Sequence, residues 1–193
     1  MNLAIIDYKA GNVQSVLFAL ERMSLTATVT SDPEVIRRAD KVIFPGVGEA
    51  RSAMHHLKFF GLDELIPTLE QPFLGICLGM QLLCTDSEEN STEALGVIPV
   101  SVKRFRQGQK VPHMGWNTLT DCRGPLFKEV PEDSYVYFVH SYYVPVNEHT
   151  IATTDYEQPF SAAVQYKNFY AVQFHTEKSS AVGAQIFRNF LEI

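Results

Sequence analysis

Three residues of this chain could perform nucleophilic chemistry together: Cys77, His175 and Glu177. A cysteine attacks as its thiolate; it needs a base to take the proton and a third group to orient that base. Cys77 lies in Gly75-Ile76-Cys77-Leu78-Gly79, the thiol version of the nucleophile elbow. A small residue on each side lets the chain turn sharply and leaves the reactive atom exposed above a sheet. The helix that follows points its N-terminus at the sulfur, which favours the thiolate. Taken alone, the motif also fits a buried structural cysteine. His175 stands after the strand-like run Tyr170–Phe174, with Glu177 two residues on. At a strand end, residues i and i+2 point the same way, so the carboxylate can hold one imidazole nitrogen while the other faces the sulfur. The same residues also fit a solvated loop. His140 is the rival base. It lacks a nearby carboxylate in sequence and reads as pocket lining or as a hydrogen-bonded core histidine.

These groups need a scaffold that brings strand ends together. Leu3–Ile6 is a continuous apolar run, which predicts a first strand buried on both faces of a parallel sheet. A turn follows at Lys9-Ala10-Gly11-Asn12, then helical spacing through Val13, Val16, Leu17, Leu20 and Met23. Leu25–Thr30 predicts a second strand, Ser31-Asp32-Pro33-Glu34 a helix start, and Lys41–Phe44 a third strand ending in the loop Pro45-Gly46-Val47-Gly48. Helical patterns then lead to the short apolar run Phe73–Ile76 before Cys77. This alternation predicts an α/β fold, a doubly wound and mostly parallel sheet flanked by helices. Ligand chemistry then falls at the carboxyl ends of the strands. In the C-terminal half, Val97–Phe105, Tyr135–Val139, Ile151–Thr154, Ser161–Tyr166 and Tyr170–Phe174 predict strands joined by short loops, some of them antiparallel, before a final helix near Ala181–Leu191.

Size and composition narrow the function. The 193 residues fit one domain with a substantial core. The net charge of −6 disfavours a general nucleic-acid binder. No stretch is long and apolar enough to span a bilayer. No signal peptide is expected at the N-terminus. The three cysteines, Cys77, Cys84 and Cys122, suit neither a disulfide framework nor a metal site, so a reducing cytoplasm is the expected compartment. No metal or cofactor is expected, since the histidines lack metal-ligand spacing and there is no phosphate-cradling or dinucleotide motif. His113, in Pro112-His113-Met114-Gly115-Trp116-Asn117, reads as part of an ordered surface loop. Its Trp116 is either an exposed contact residue or a core residue. His55, His56 and His149 read as surface residues.

Together, Gly75-Ile76-Cys77-Leu78-Gly79-Met80-Gln81 and Phe174-His175-Thr176-Glu177 resemble the class I, or triad, glutamine amidotransferases. Asp7-Tyr8 with Ala10-Gly11-Asn12, Pro45-Gly46-Val47-Gly48, His113–Asn117 and Val139-His140-Ser141-Tyr142 look most like the glutaminase subunits of imidazole glycerol phosphate synthase, over essentially the whole chain. The resemblance implies a flavodoxin-like fold and a Cys77–His175–Glu177 triad. It implies an oxyanion hole from Leu78 and the Val47-Gly48 loop, and a glutamine pocket including Gly46, Gln81, Glu89, Ser141 and Tyr142. Asn12, Met114, Trp116 and Lys178 would face the partner, a (β/α)8 cyclase subunit in a heterodimer. For Ser141, Tyr142 and Lys178 the alternatives are core packing and a solvated lysine. The chain departs from the family pattern at Lys9 (Gly expected), at Thr176 (Pro commoner) and at Glu49-Ala50-Arg51 (small or apolar residues usual), and none of these removes a group from the triad. The alternatives to this reading are a paralogous glutaminase feeding ammonia to a surface-polysaccharide sugar, and a catalytically silent subunit.

Overall fold

A computed structural model describes residues 1–9, 12–106, 110–156 and 158–193, so Ala10 and Gly11 of the first predicted turn lie outside the described residues. The elements of the first half are β1 (Leu3–Ile6), α1 (Val13–Glu21), β2 (Thr28–Thr30), α2 (Pro33–Arg38), β3 (Lys41–Gly46), α3 (Ala50–Phe59), α4 (Leu62–Leu65), β4 (Phe73–Cys77) and α5 (Leu78–Leu83). Then follow β5 (Asp86–Ser87), β6 (Thr92–Glu93), β7 (Ser101–Arg104), β8 (His113–Thr118), β9 (Tyr135–His140), β10 (Tyr142–Tyr143), β11 (Thr150–Tyr156), β12 (Gln158–Tyr166), β13 (Phe169–Val172) and α6 (Ser180–Glu192).

The main sheet has seven strands in the order β11-β12-β13-β4-β3-β1-β2. From β13 to β2 every pairing is parallel; β12 and β11 continue it antiparallel. The doubly wound, mostly parallel sheet with antiparallel strands from the C-terminal half is therefore present. Side chains alternate across a strand, and β1 shows how this divides the core. Ala4 and Ile6 pack on one face with Ile36 of α2, Leu57 of α3 and Leu82 of α5. Leu3 and Ile5 pack on the other with Leu20 of α1 and Phe187 and Phe190 of α6. Both faces are covered, which is why the inner strands are apolar throughout.

Several predicted elements are shorter or placed differently. Only Thr28–Thr30 of the predicted second strand is a strand, because the N–H of Leu25 closes the end of α1 by bonding Leu20 O. Only Ser101–Arg104 survives of Val97–Phe105: the Ile98 N–H bonds Leu83 O at the end of α5, and Pro99 has no N–H to give a ladder. Pairing of β3 with β4 runs on through Pro45↔Ile76 to Gly46↔Cys77, so the free loop after β3 starts at Val47. The segment at His113 is a strand, not a surface loop. It pairs antiparallel with β9 from His113↔His140 to Thr118↔Tyr135, a partner distant in sequence that local patterning does not show.

Candidate active site

Cys77 ends β4 in a left-handed backbone conformation, φ 54° and ψ −110°, and α5 begins at the next residue. A non-glycine residue held there is strained, and such strain persists only where surrounding structure fixes it. The fixing is close packing. A Cβ on Gly46 would lie 2.6 Å from Gly79 N and 2.8 Å from Leu78 Cβ, so the end of β3 touches the start of α5 with no atom to spare. The register Gly46↔Cys77 sets the following Val47-Gly48 beside the thiol, and Gly48 at φ 104° has a conformation side chains disfavour.

His175 follows β13 and is almost fully buried. Its N–H donates to Tyr137 O of β9 at 2.9 Å, and Ser179 Oγ donates to its carbonyl at 2.7 Å. Its Nδ1 lies 2.8 Å from Glu177 Oε1, with both side chains shielded from water. The pairing arises differently from the strand-end argument. β13 stops at Val172, and Thr176–Lys178 form a single 3-10 turn that curls the carboxylate back onto the ring. Burial would lower the His175 pKa, but the Cys77 sulfur and the Glu177 carboxylate outweigh it and push it up to about 10.

A cavity of about 320 Å³ brings together Cys77, His175, Val47, Gly48 and Leu78 with Gln81, Glu89, Ser141 and Tyr142, and His140 and Val139 also line it. Gly46 does not line it; the residue lies behind, against α5 and the Tyr8 hydroxyl. Gln81 is buried, and its amide nitrogen donates to Tyr142 O and Gln173 Oε1, both at 3.0 Å. Only its oxygen is left to meet a ligand's donor. Glu89 Oε2 accepts the Ala50 N–H at 2.8 Å, and burial raises this carboxyl's pKa. His140 is both things expected of it, a pocket residue and a bonded core histidine: its Nδ1 is 2.7 Å from Tyr142 O and its Nε2 3.0 Å from His113 Nδ1.

His113 and His140 are packed among Phe105, Phe138, Tyr156 and Phe160. Burial lowers the pKa of both, His113 to about 4 and His140 to about 3. The unfolded chain, titrating near 6.5, therefore takes up protons first as pH falls. The stability these two histidines give is full above about 6.5 and is lost progressively toward about pH 3. Melting temperature is expected to drop on the order of 5 °C between pH 6.5 and 4.5. In a His113→Phe variant, which keeps the aromatic stack, the same scan should be shallower; an unchanged slope would contradict this account.

Three of the proposed partner-facing residues, Met114, Trp116 and Lys178, gather on one surface. Met114 and Trp116 share the outer face of β8 and are 61% and 52% exposed, so Trp116 is not a core residue. Trp116 meets the Tyr137 ring edge-on at 5.9 Å, and Lys178 Nζ lies 5.8 Å over the same ring, exposed rather than buried. Asn12 caps α1 by accepting from Ser15 N at 3.4 Å. Cys84 is fully buried in the core on the opposite face of the sheet from Cys77, with Leu78, Met80, Leu82 and Leu83 of α5. His55 is exposed, but His56 and His149 are half-buried rather than surface residues.

The three departures have visible consequences. Lys9 adopts φ 66°, the conformation a glycine takes without strain, and is held by Asp7, whose Oδ1 accepts its N–H at 3.0 Å and whose Oδ2 meets its Nζ at 3.2 Å. Glu49 caps α3 through the N–H groups of Arg51 and Ser52, while Arg51 donates to Asn90 O and Asn90 to Glu49, which ties α3 to the turn carrying Glu89. Thr176 Oγ1 is buried without a hydrogen-bond partner among the described residues.

Two residues at the site escaped sequence reasoning. Tyr8 is fully buried, its hydroxyl beside Gly46 and without a hydrogen-bond partner among the described residues, and burial with the nearby Cys77 sulfur raises its pKa. Gln173 is also fully buried, with Nε2 3.8 Å from Cys77 Sγ. The available signal for Gln173 was a lone polar residue in the apolar run Tyr170-Ala171-Val172-Gln173-Phe174.

This arrangement coincides with a family assignment. Residues 4–193 match the family model of the glutamine amidotransferases, class I. The chain belongs to the class I glutamine amidotransferases. A relative from Bacteroides fragilis, named imidazole glycerol phosphate synthase subunit HisH, is 57% identical over 100% of both chains. A relative of the same name from Yersinia pseudotuberculosis is 48% identical, again over 100% of both. Among solved structures, a glutamine amidotransferase superposes on this one with TM-score 0.77 at 19% identity, covering 98% of this chain and 97% of that one, which supports the fold. Among the described residues of this amidotransferase, no group of three or more His, Cys, Asp or Glu could hold a metal ion, and no helix is long and apolar enough to cross a membrane.

Proposed function

We propose that this chain, residues 1–193 acting as one glutaminase domain, is the glutaminase subunit of an imidazole glycerol phosphate synthase. It hydrolyses L-glutamine to glutamate and ammonia and passes the ammonia to a (β/α)8 cyclase subunit in a cytoplasmic heterodimer. The observation that carries the reading is the buried 2.8 Å His175–Glu177 pair beside a cysteine held at a strained elbow in a pocket.

Cys77 Sγ attacks the side-chain carboxamide carbon of glutamine, and its proton goes to His175 Nε2. The Nδ1 side of the ring stays bonded to Glu177, whose charge stabilises the imidazolium. The Glu177 carboxylate at Nδ1 favours the imidazolium so formed, which then protonates the departing ammonia. The carbon–nitrogen bond breaks, a γ-glutamyl thioester remains, and water deprotonated by His175 releases glutamate and restores the thiol. The tetrahedral oxyanion takes the Leu78 N–H and an N–H of the Val47-Gly48 peptide, a donor worth roughly 10²–10³ in rate. Gln81 Oε1 and Glu89 accept from the substrate ammonium, with Ser141 and Tyr142 completing the pocket. Asn12, Met114, Trp116 and Lys178 contact the cyclase, so that ammonia meets its acceptor before it is protonated in bulk water.

A glutaminase assay of the chain alone, and then with the cyclase partner plus its nucleotide ligand, tests this. Activity alone is expected to be very low and to rise by a large factor in the complex. Full activity without a partner would overturn the gating by the partner, and absence of glutamate release from the complex would overturn the function.

A further inference from the structure

The thiol has a neighbour to which the proposed reaction gives no role. An amide can present either end to a sulfur, and at Gln173 the surroundings settle which. The anchor is the Tyr142 carbonyl, which can only accept. It takes the Gln81 Nε2–H at 3.0 Å and the His140 Nδ1–H at 2.7 Å. The second Gln81 N–H donates to Gln173 Oε1 at 3.0 Å. The oxygen end of Gln173 is thereby committed, so the nitrogen end faces Cys77 Sγ at 3.8 Å.

The other branch is directed in the same way. With its Nδ1 donating, neutral His140 accepts at Nε2 from His113 Nδ1 at 3.0 Å. His113 Nε2 then accepts from Asn117 Nδ2 at 3.4 Å. Asn117 is oriented by the Thr118 N–H on its oxygen at 2.8 Å and by its own donation to Asp155 O at 3.0 Å. One self-consistent set of donors and acceptors thus runs from β8, whose outer face carries Met114 and Trp116, to the nucleophile.

We infer that Gln173 is a positioning residue for Cys77, its N–H aimed at the sulfur by Gln81 and the Tyr142–His140–His113 series so that it holds the thiolate in place for attack. The inference rests on Cys77 being the nucleophile. In the thiol, S–H donates to Val139 O at 3.9 Å. When that proton moves to His175, the Val139 carbonyl faces a negative sulfur and the contact turns unfavourable. The Gln173 N–H contact does the opposite, because a hydrogen bond to an ionised acceptor is roughly twice as strong as a neutral one. The titratable groups around the sulfur are His175 and Glu177 after β13, Tyr8 after β1, His140 of β9 and Glu89 across the pocket.

The test is alkylation of the intact chain by iodoacetamide across pH, with Cys77 followed by mass spectrometry against Cys84 and Cys122. Gln173→Met removes the donor at similar length, and Gln173→Glu turns an acceptor toward the sulfur in the same shape. At pH 7 the Cys77 rate is expected to fall about tenfold in Gln173→Met and further in Gln173→Glu, with the deficit shrinking as pH rises. In the assembled complex kcat for glutamine should fall in step, while KM moves by less than about threefold. If Gln173→Glu does not fold, Gln173→Met decides alone. A pH profile that overlays the parent's in every folded variant would overturn the inference, since a residue that only fills space leaves that profile unmoved. If Cys77 of the parent reacts no faster than an ordinary free thiol, it is the nucleophile assignment that falls.

Discussion

Replacing Cys77 with alanine is expected to lower glutamine-dependent turnover of the assembled complex by about 10⁴-fold or more, the scale seen when a covalent nucleophile is removed. The expectation follows from the single thiol in the pocket. Cys84 is buried on the far side of the sheet, where desolvation pushes its pKa up to about 12, and Cys122 does not line the cavity. Neither can substitute. The substitution deletes one sulfur and leaves the elbow's backbone, the Leu78 N–H and the residues proposed to face the partner in place. Turnover supplied with free ammonia should therefore persist in the complex. The two assays separate loss of chemistry from loss of assembly. Glutamine-dependent turnover within about tenfold of the parent would remove Cys77 from the mechanism.

A large effect on stability is expected at Gly79. A Cβ there would sit 2.1 Å from the Phe44 carbonyl oxygen and 3.2 Å from its carbon. Both are backbone atoms of β3, which is clamped by parallel pairing to β1 on one side and β4 on the other. No side-chain rotation relieves that clash, so α5 must lift off the sheet. Gly79→Ala is expected to cost about 3 kcal/mol or more, the upper part of the range for overpacking. For a chain of this length that lowers the melting temperature by roughly 6–12 °C. Activity should fall further than stability alone requires, because the same lift moves the Leu78 N–H and resets Cys77. A thermal melt within about 2 °C of the parent would show that the helix start is not held as tightly as the packing implies.

The site and its scaffold were legible in the sequence to different depths. The elbow could be read because its signal is local: an apolar run, a glycine on each side of the cysteine, and a helical pattern next. The parallel sheet could be read because each inner strand must be apolar on both faces, as Leu3–Ile6 and Phe73–Ile76 are. His175 and Glu177 could be paired because they stand two residues apart, although a 3-10 turn rather than strand alternation brings them together.

Other features required the folded chain. The β8 strand contains a glycine and several polar residues, and only its pairing with β9 declares it. The Trp116–Tyr137–Lys178 cluster joins two strands and the turn after β13. Gln173 reaches Cys77 across 96 positions and Gln81 across 92, and Gln81 reaches Tyr142 across 61. Hydrogen bonds of that separation leave no periodic trace in a sequence, since neither partner constrains the residues near the other. The sequence by itself determined on what kind of sheet the site stands and pointed to the residues proposed as nucleophile and base. The tertiary structure alone decided which buried amide faces the sulfur and from what direction the rest of the molecule holds it there.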